Sequence, residues 1–201
     1  FDEMIPAEYR DVLSYRHKRV ASIPLMAYSI PVSEIKQAAD DGFYFMKIKI
    51  GQTGTQDEML EKDKARLTEI HQAIGNYKTE HTENGKLPYY FDANGRYEKK
   101  ETLLQLIDHA EKIGALEQIA IIEEPFPEEL EIDVSDIPVR LAADESAHTD
   151  KDALSRIQMG YGAIALKPIA KTLRMTLKIA QIAKQENITC FCAYLTVNPI
   201  L

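Results

Sequence analysis

Short runs rich in β-branched and aromatic residues alternate with longer segments whose apolar residues recur at spacings of three and four, almost from end to end. Strand side chains repeat every second residue and helix side chains about every 3.6, so this rhythm marks βα units around a parallel sheet. Seven runs read as strands: Ile23 to Ile30, Phe43 to Ile50, Leu87 to Asp92, Gln118 to Glu123, Val139 to Asp144, Ala163 to Lys167 and Ile188 to Leu195. Crossover helices are predicted over Ser33 to Asp41, Gln56 to Ile74, Lys99 to Ile113, Lys151 to Met159 and Thr172 to Gln185. Ser33 and Thr149 are the N-cap candidates, and Gly42 and Gly114 stop helices where a left-handed residue is wanted. Pro125 to Ile137 is acidic and proline-bearing, which predicts a short or irregular crossover, while the polar segment Gly75 to Lys86 reads as a surface loop.

A chain of 201 residues, 45% of them apolar, supports one sizeable core and one domain. Seven such strands suit either an open doubly wound sheet or an unfinished eight-stranded barrel, since a closed barrel typically takes about 250 residues. Residues 1–22 read as a lead-in and 23–201 as the barrel segment. The chain starts at Phe1 and its last residue, Leu201, follows a strand-like run, so a fragment is expected.

Charge and hydropathy narrow the partners. With 24 basic against 32 acidic residues the formal charge is -8, which repels nucleic-acid phosphates. The one basic cluster, Arg16 to Arg19, is too short to track a groove and reads as a solvated turn. There is no run of eighteen apolar residues and no secretory layout at the first residues, so a soluble, cytoplasmic protein without a membrane partner is expected. Cys190 and Cys192 fall two apart on one strand face, a poor geometry for a disulfide, and read as small buried side chains in a reducing compartment.

The informative pattern lies at the strand ends. Strand two ends with Lys47 and Lys49, strand three with Asp92, strand four with Glu123 and Glu124, strand five with Asp144 and Glu145, and strand six with Lys167. A strand buried on both faces is normally an unbroken apolar run, because each charge taken out of water costs several kcal/mol unless paired. Five consecutive charged endings therefore ask for a common purpose, and in a barrel such ends converge on the rim where active sites sit. Alternation puts Phe45, Lys47 and Lys49 on one face of strand two and Met46, Ile48 and Ile50 on the other. Two lysines on one face need anions, and carboxylates from three strands need a cation. Hard oxygen ligands on separate rigid strands suit Mg²⁺, or Mn²⁺, better than zinc.

The ordered motifs K-x-K, D-x-N, E-E-P, D-E-S and K-P resemble those of the enolase superfamily, specifically the muconate lactonizing enzyme subgroup of the mandelate racemase group, over residues 23 to 195. The resemblance implies an incomplete TIM-type (β/α) barrel lacking its last strand and its N-terminal capping domain. It implies Lys47 as an electrostatic group toward a substrate carboxylate, Lys49 as the base, and Lys167 as an acid or base on the opposite face. It assigns Asp92, Glu123 and Asp144 as ligands of Mg²⁺, the first glutamate being preferred over Glu124, with Asn94 and Glu145 as groups that orient ligands or pair with lysine. The implied reaction removes a proton alpha to a carboxylate through a stabilised enediolate, as in racemases, epimerases, cycloisomerases and o-succinylbenzoate synthase. Its partner would be a small-molecule carboxylate, and the full-length protein would be a homo-oligomer. The stretch KPIAKTLRM departs from the pattern, because paired glycines usually follow the strand-six lysine.

Two other readings compete. A Schiff-base aldolase using Lys167 leaves Asp92, Glu123 and Asp144 without a purpose, and a barrel kept as a non-catalytic scaffold leaves all five endings so. His148 reads as a structural or solvated loop residue, His17, His71, His81 and His109 show no ligand spacing, and Tyr89 and Tyr90 read as packing across strand three.

Overall fold

In the computed structural model, which describes residues 6–14 and 18–193, seven strands form inside the seven apolar runs, each shorter than its run. They are β1 (Leu25–Met26), β2 (Met46–Lys49), β3 (Tyr89–Asp92), β4 (Ile119–Glu123), β5 (Leu141–Ala143), β6 (Ala163–Leu166) and β7 (Thr189–Cys192). Helices α1 (Val32–Asp40), α2 (Gln56–Ile74), α3 (Lys100–Lys112), α4 (Asp150–Gln158), α5 (Pro168–Lys171) and α6 (Leu173–Gln185) lie between them. This is the α/β class of an incomplete TIM-type barrel. Parts of two expectations, the basic cluster at Arg16 and the end of the last strand at Leu195, lie outside the described residues.

The chain forms two compact units. The first unit is Ala21–Ile132 with Ile137–Arg140, and the second comprises the described residues of Phe1–Val20, Asp133–Asp136 and Leu141–Leu201. In the first, β1 to β4 pair in chain order and in parallel, and the register sets Lys49 opposite Asp92 and Asp92 opposite Glu123. In the second, β5, β6 and β7 pair in the same parallel fashion.

The pleat produces the alternation that the sequence carries. Met46, Ile48 and Ile50 are buried, whereas Lys47 and Lys49 face the other way and are half-buried. Helix α2 turns Leu67, Ile70 and Ile74 into the core. Its start is fixed by Thr55, whose hydroxyl accepts from the Glu58 N–H while the Glu58 carboxylate accepts from the Thr55 N–H. Thr149 and Asp152 start α4 in the same way, and Gly42 and Gly114 follow α1 and α3 with positive φ.

Two helix starts differ from expectation. Ser33 lies inside α1, because Pro31, already fixed at φ -68°, is the N-cap and its carbonyl accepts from Glu34 and Ile35. Ahead of α6 the chain makes the extra turn α5, begun by Pro168 at the first helical position, where the missing N–H is not needed. Pro125 to Ile137 forms turns without helix or strand, and the Gly75 to Lys86 loop holds one antiparallel bridge, Lys78 with Lys86. Among the described residues no helix is long and apolar enough to cross a membrane.

Candidate active site

In the first unit the register brings four of the singled-out residues into contact. The Lys47 ammonium lies 2.7 Å from Asp92 Oδ2 and 2.6 Å from Glu123 Oε2. Lys49 donates to Asp92 Oδ2 at 2.6 Å and also to Asn94 Oδ1. Asp92 is 1% exposed and Glu123 0%, so these are charges held out of water that depend on one another. Burial works to lower the Lys47 pKa, but the Glu123 and Asp92 carboxylates outweigh it and hold that pKa above its ordinary value. Lys47 is therefore a fixed cation.

The loop after β3 follows the loop after β4 closely. Ala93, Gly95 and Tyr97 donate their N–H groups to the carbonyls of Glu123, Glu124 and Pro125. Asn94 takes a left-handed φ of 47° and donates its N–H to Asp92 Oδ1, which fixes the Asp92 carboxylate from its own backbone. Glu124 is 2% exposed with φ 40°, and it is Glu123 that meets Lys47.

Tyr90 corrects its reading as packing alone. Its hydroxyl donates to Glu123 Oε2, and Lys47 Nζ stands 5.1 Å from its ring centroid. A tyrosine beside a lysine-bearing strand gave no signal for this, because the partner carboxylate belongs to another strand.

In the second unit Lys167 Nζ contacts Asp144 Oδ2 and lies 3.5 Å from Glu145 Oε1. Lys171, not singled out from the sequence, donates to the Asp144 carbonyl at 2.6 Å and lies 3.6 Å from Asp144 Oδ1. The available signal was its place four residues after Lys167, behind a proline that starts a helical turn. His71 bonds Tyr89 and His109 bonds Thr68, which makes both structural.

Among the described residues no three His, Cys, Asp or Glu side chains are gathered to hold a metal ion. The donor chemistry within the first unit nevertheless suits a hard divalent cation: Asp92 and Glu123 are all but fully buried carboxylates that converge on one positive charge, and in the second unit Asp144 is likewise buried.

A family model described as "Enolase C-terminal domain-like" matches residues 32–200. Among solved structures, a mandelate racemase/muconate lactonizing protein from Herpetosiphon aurantiacus superposes with a TM-score of 0.74 at 20% identity, covering 89% of this chain and 47% of that one. An N-succinyl Arg/Lys racemase from Bacillus cereus gives 0.75 at 16% identity, covering 93% and 48%. Muconate lactonizing enzyme from Pseudomonas putida gives 0.69 at 20% identity, covering 92% and 49%. The chain thus spans about half the length of the structures it matches, and at these identities the likeness is one of fold. The search of curated proteins gave no significant match.

Proposed function

Because the chain belongs to the enolase C-terminal domain-like family, in its mandelate racemase and muconate lactonizing enzyme group, we propose that it is the catalytic part of an enzyme removing a proton next to a carboxylate. The observation that carries this reading is the row Lys49, Asp92 and Glu123 across three paired strands, with Lys47 bridging the two acids.

A proton beside a carboxylate is very weakly acidic, and its loss gives an enediolate with two negative charges. A fixed cation aimed at that charge stabilises the transition state more than the ground state. Lys47, kept protonated by its two acids, supplies such a charge. Lys49 is the proposed base, its amine oriented by Asp92 and Asn94. Lys167, held by Asp144 and Glu145 in the second unit, is the second proposed acid or base.

Asp92 and Glu123, the two buried acids of the first unit, would help hold Mg²⁺ or Mn²⁺, which when bound supplies electrostatic neutralisation of the substrate carboxylate. A reaction using both lysines gives racemization or epimerization, and one using a single lysine gives elimination or cycloisomerization. N-acylamino acids and dipeptides are the first substrates to test, since the matched structures include an N-succinyl Arg/Lys racemase and an L-Ala-D/L-Glu epimerase.

The test incubates the full-length protein with Mg²⁺ in D₂O and pools of N-acylamino acids, dipeptides and cyclohexadiene carboxylic acids. Deuterium uptake at the carbon next to the carboxylate, read by NMR and lost in Lys49→Ala, is the expected result. A folded wild-type protein that exchanges no substrate in any pool would remove the proposal.

A further inference from the structure

Outside the lysine and carboxylate cluster, the first unit buries one more acid completely. Asp63, on α2, is 0% exposed, and it lies fourteen residues after Lys49 in the sequence. We infer that Asp63 is a positioning residue for the proposed base Lys49, acting through the backbone of Gly51. The inference rests on the reading of Lys49 given above.

The carboxylate is fastened to the segment that leaves β2. Asp63 Oδ2 accepts from the Gly51 N–H at 2.7 Å and from the Tyr97 hydroxyl at 2.7 Å. The carbonyl of Gly51 is held as well, accepting from Arg96 Nη1 at 2.7 Å. One residue earlier, the Ile50 N–H donates to the Asp92 carbonyl at 3.0 Å. Both polar groups of Gly51 are thus fixed, one by a helix and one by the loop after β3, directly behind the base.

The chain at Gly51 has little room to settle elsewhere. Its φ is +80°, and a Cβ there would stand 2.9 Å from Arg96 Cβ and 3.0 Å from the Ala93 carbonyl oxygen, so the loops after β2 and β3 touch through their backbones. Asp63 draws on a rigid support, for α2 is a nineteen-residue helix anchored by buried Leu67, Ile70 and Ile74.

Stability does not account for a carboxylate here. Burying an ionised group costs several kcal/mol even when it is hydrogen-bonded, and apolar residues of similar volume often serve a core as well or better. Asp63 Oδ1 has no hydrogen-bond partner, which adds to the cost. What the carboxylate does that an apolar side chain cannot is specify where residue 51 sits. A base must come within about 3 Å of the proton it removes, and a displacement of about 1 Å can cost on the order of a hundredfold in rate.

The test uses the full-length protein, with Asp63→Leu to remove the acceptor, Asp63→Asn to keep one oxygen, and Asp63→Glu to move the acceptor outward at constant charge. Three quantities are read: kcat and KM for the exchanging substrate, melting temperature, and the separate rates at which an amine-acylating reagent labels Lys49 and Lys47, by mass spectrometry. Asp63→Leu should lower kcat by at least about tenfold with KM nearly unchanged. It should speed labelling of Lys49, the last residue of β2, severalfold while Lys47, two residues further from Gly51, keeps its rate, and Asp63→Asn should restore most of both.

A lowered melting temperature with wild-type kcat and wild-type Lys49 labelling would make Asp63 merely structural and overturn the inference. Should the wild type exchange no substrate, the reaction proposal fails, and the ratio of Lys49 to Lys47 labelling still decides this one. Should Asp63→Leu not fold, Asp63→Glu takes its place: a change in Lys49 labelling supports the role, and none overturns it.

Discussion

Lys49 and Asp92 stand directly opposite each other in the parallel register of β2 and β3, and the Lys49 ammonium lies 2.6 Å from Asp92 Oδ2. Pairing of the strands alone therefore brings together two residues forty-three apart in sequence. The next strand continues the row with Glu123. Lys47, one pleat repeat earlier on the same face, then reaches both acids.

Replacing Lys47 leaves Glu123 and Asp92 buried with less positive charge near them. Lys47→Met should destabilise the fold by about 3 kcal/mol in urea unfolding at neutral pH. The Lys47 pKa is raised above 10.5 in the folded state, so its contribution is fully present below 10.5 and is lost as pH rises through the raised value. The gap between wild type and variant should hold from pH 7 to 10 and shrink above that. A gap that widens in alkali would show that Lys47 is not the charge compensating these acids.

Tyr90→Phe removes one hydroxyl and keeps the ring that packs 5.7 Å from Phe45. The lost bond is to a fully buried carboxylate, so the expected cost is about 2 kcal/mol. A double-mutant cycle with Glu123→Gln should give a coupling of about 1 kcal/mol or more, and additive effects would deny the contact.

How far the sequence could be read follows from the range of each interaction. Helix α2 was legible to the residue, Gln56 to Ile74, because its apolar spacing persists for five turns. The strands were found but overdrawn, as with Ile23 to Ile30 against the observed Leu25–Met26, because β-propensity does not record where pairing stops. The row of Lys49, Asp92 and Glu123 was legible because each ends an apolar run. Tyr90 and Asp63 were not, since a tyrosine in a strand and an aspartate in a helix are ordinary until their distant partners are known. Lys171 was missed with the turn α5 that carries it.

The two cysteines do not share one environment, contrary to their joint reading as buried side chains. Burial pushes the Cys190 thiol up to about 11, whereas Cys192 is exposed. The thiolate is the reactive form, so iodoacetamide at pH 8 should alkylate Cys192 first and Cys190 slower by more than about tenfold. Equal rates, followed by peptide mass spectrometry, would contradict the half-burial of Cys190.

Thr172 lies in the stretch KPIAKTLRM after β6, and its backbone is strained. Its φ of 65° and ψ of 150° lie in a region essentially reserved for glycine, and a residue with a Cβ held there costs on the order of 1–3 kcal/mol. In partial return its hydroxyl caps α6, accepting from the Met175 N–H at 3.3 Å. Glycine at an N-cap is only a few tenths of a kcal/mol worse than threonine, while its freer unfolded chain costs about 0.4–1 kcal/mol. Relief of strain should win, so Thr172→Gly is expected to raise stability by about 1 kcal/mol. Thr172→Ala loses the cap and keeps a Cβ in the forbidden region, so it should lower stability by about 1 kcal/mol. Opposite signs in thermal unfolding would establish that the backbone at Thr172 is strained, whereas two destabilised variants would show that the cap outweighs it.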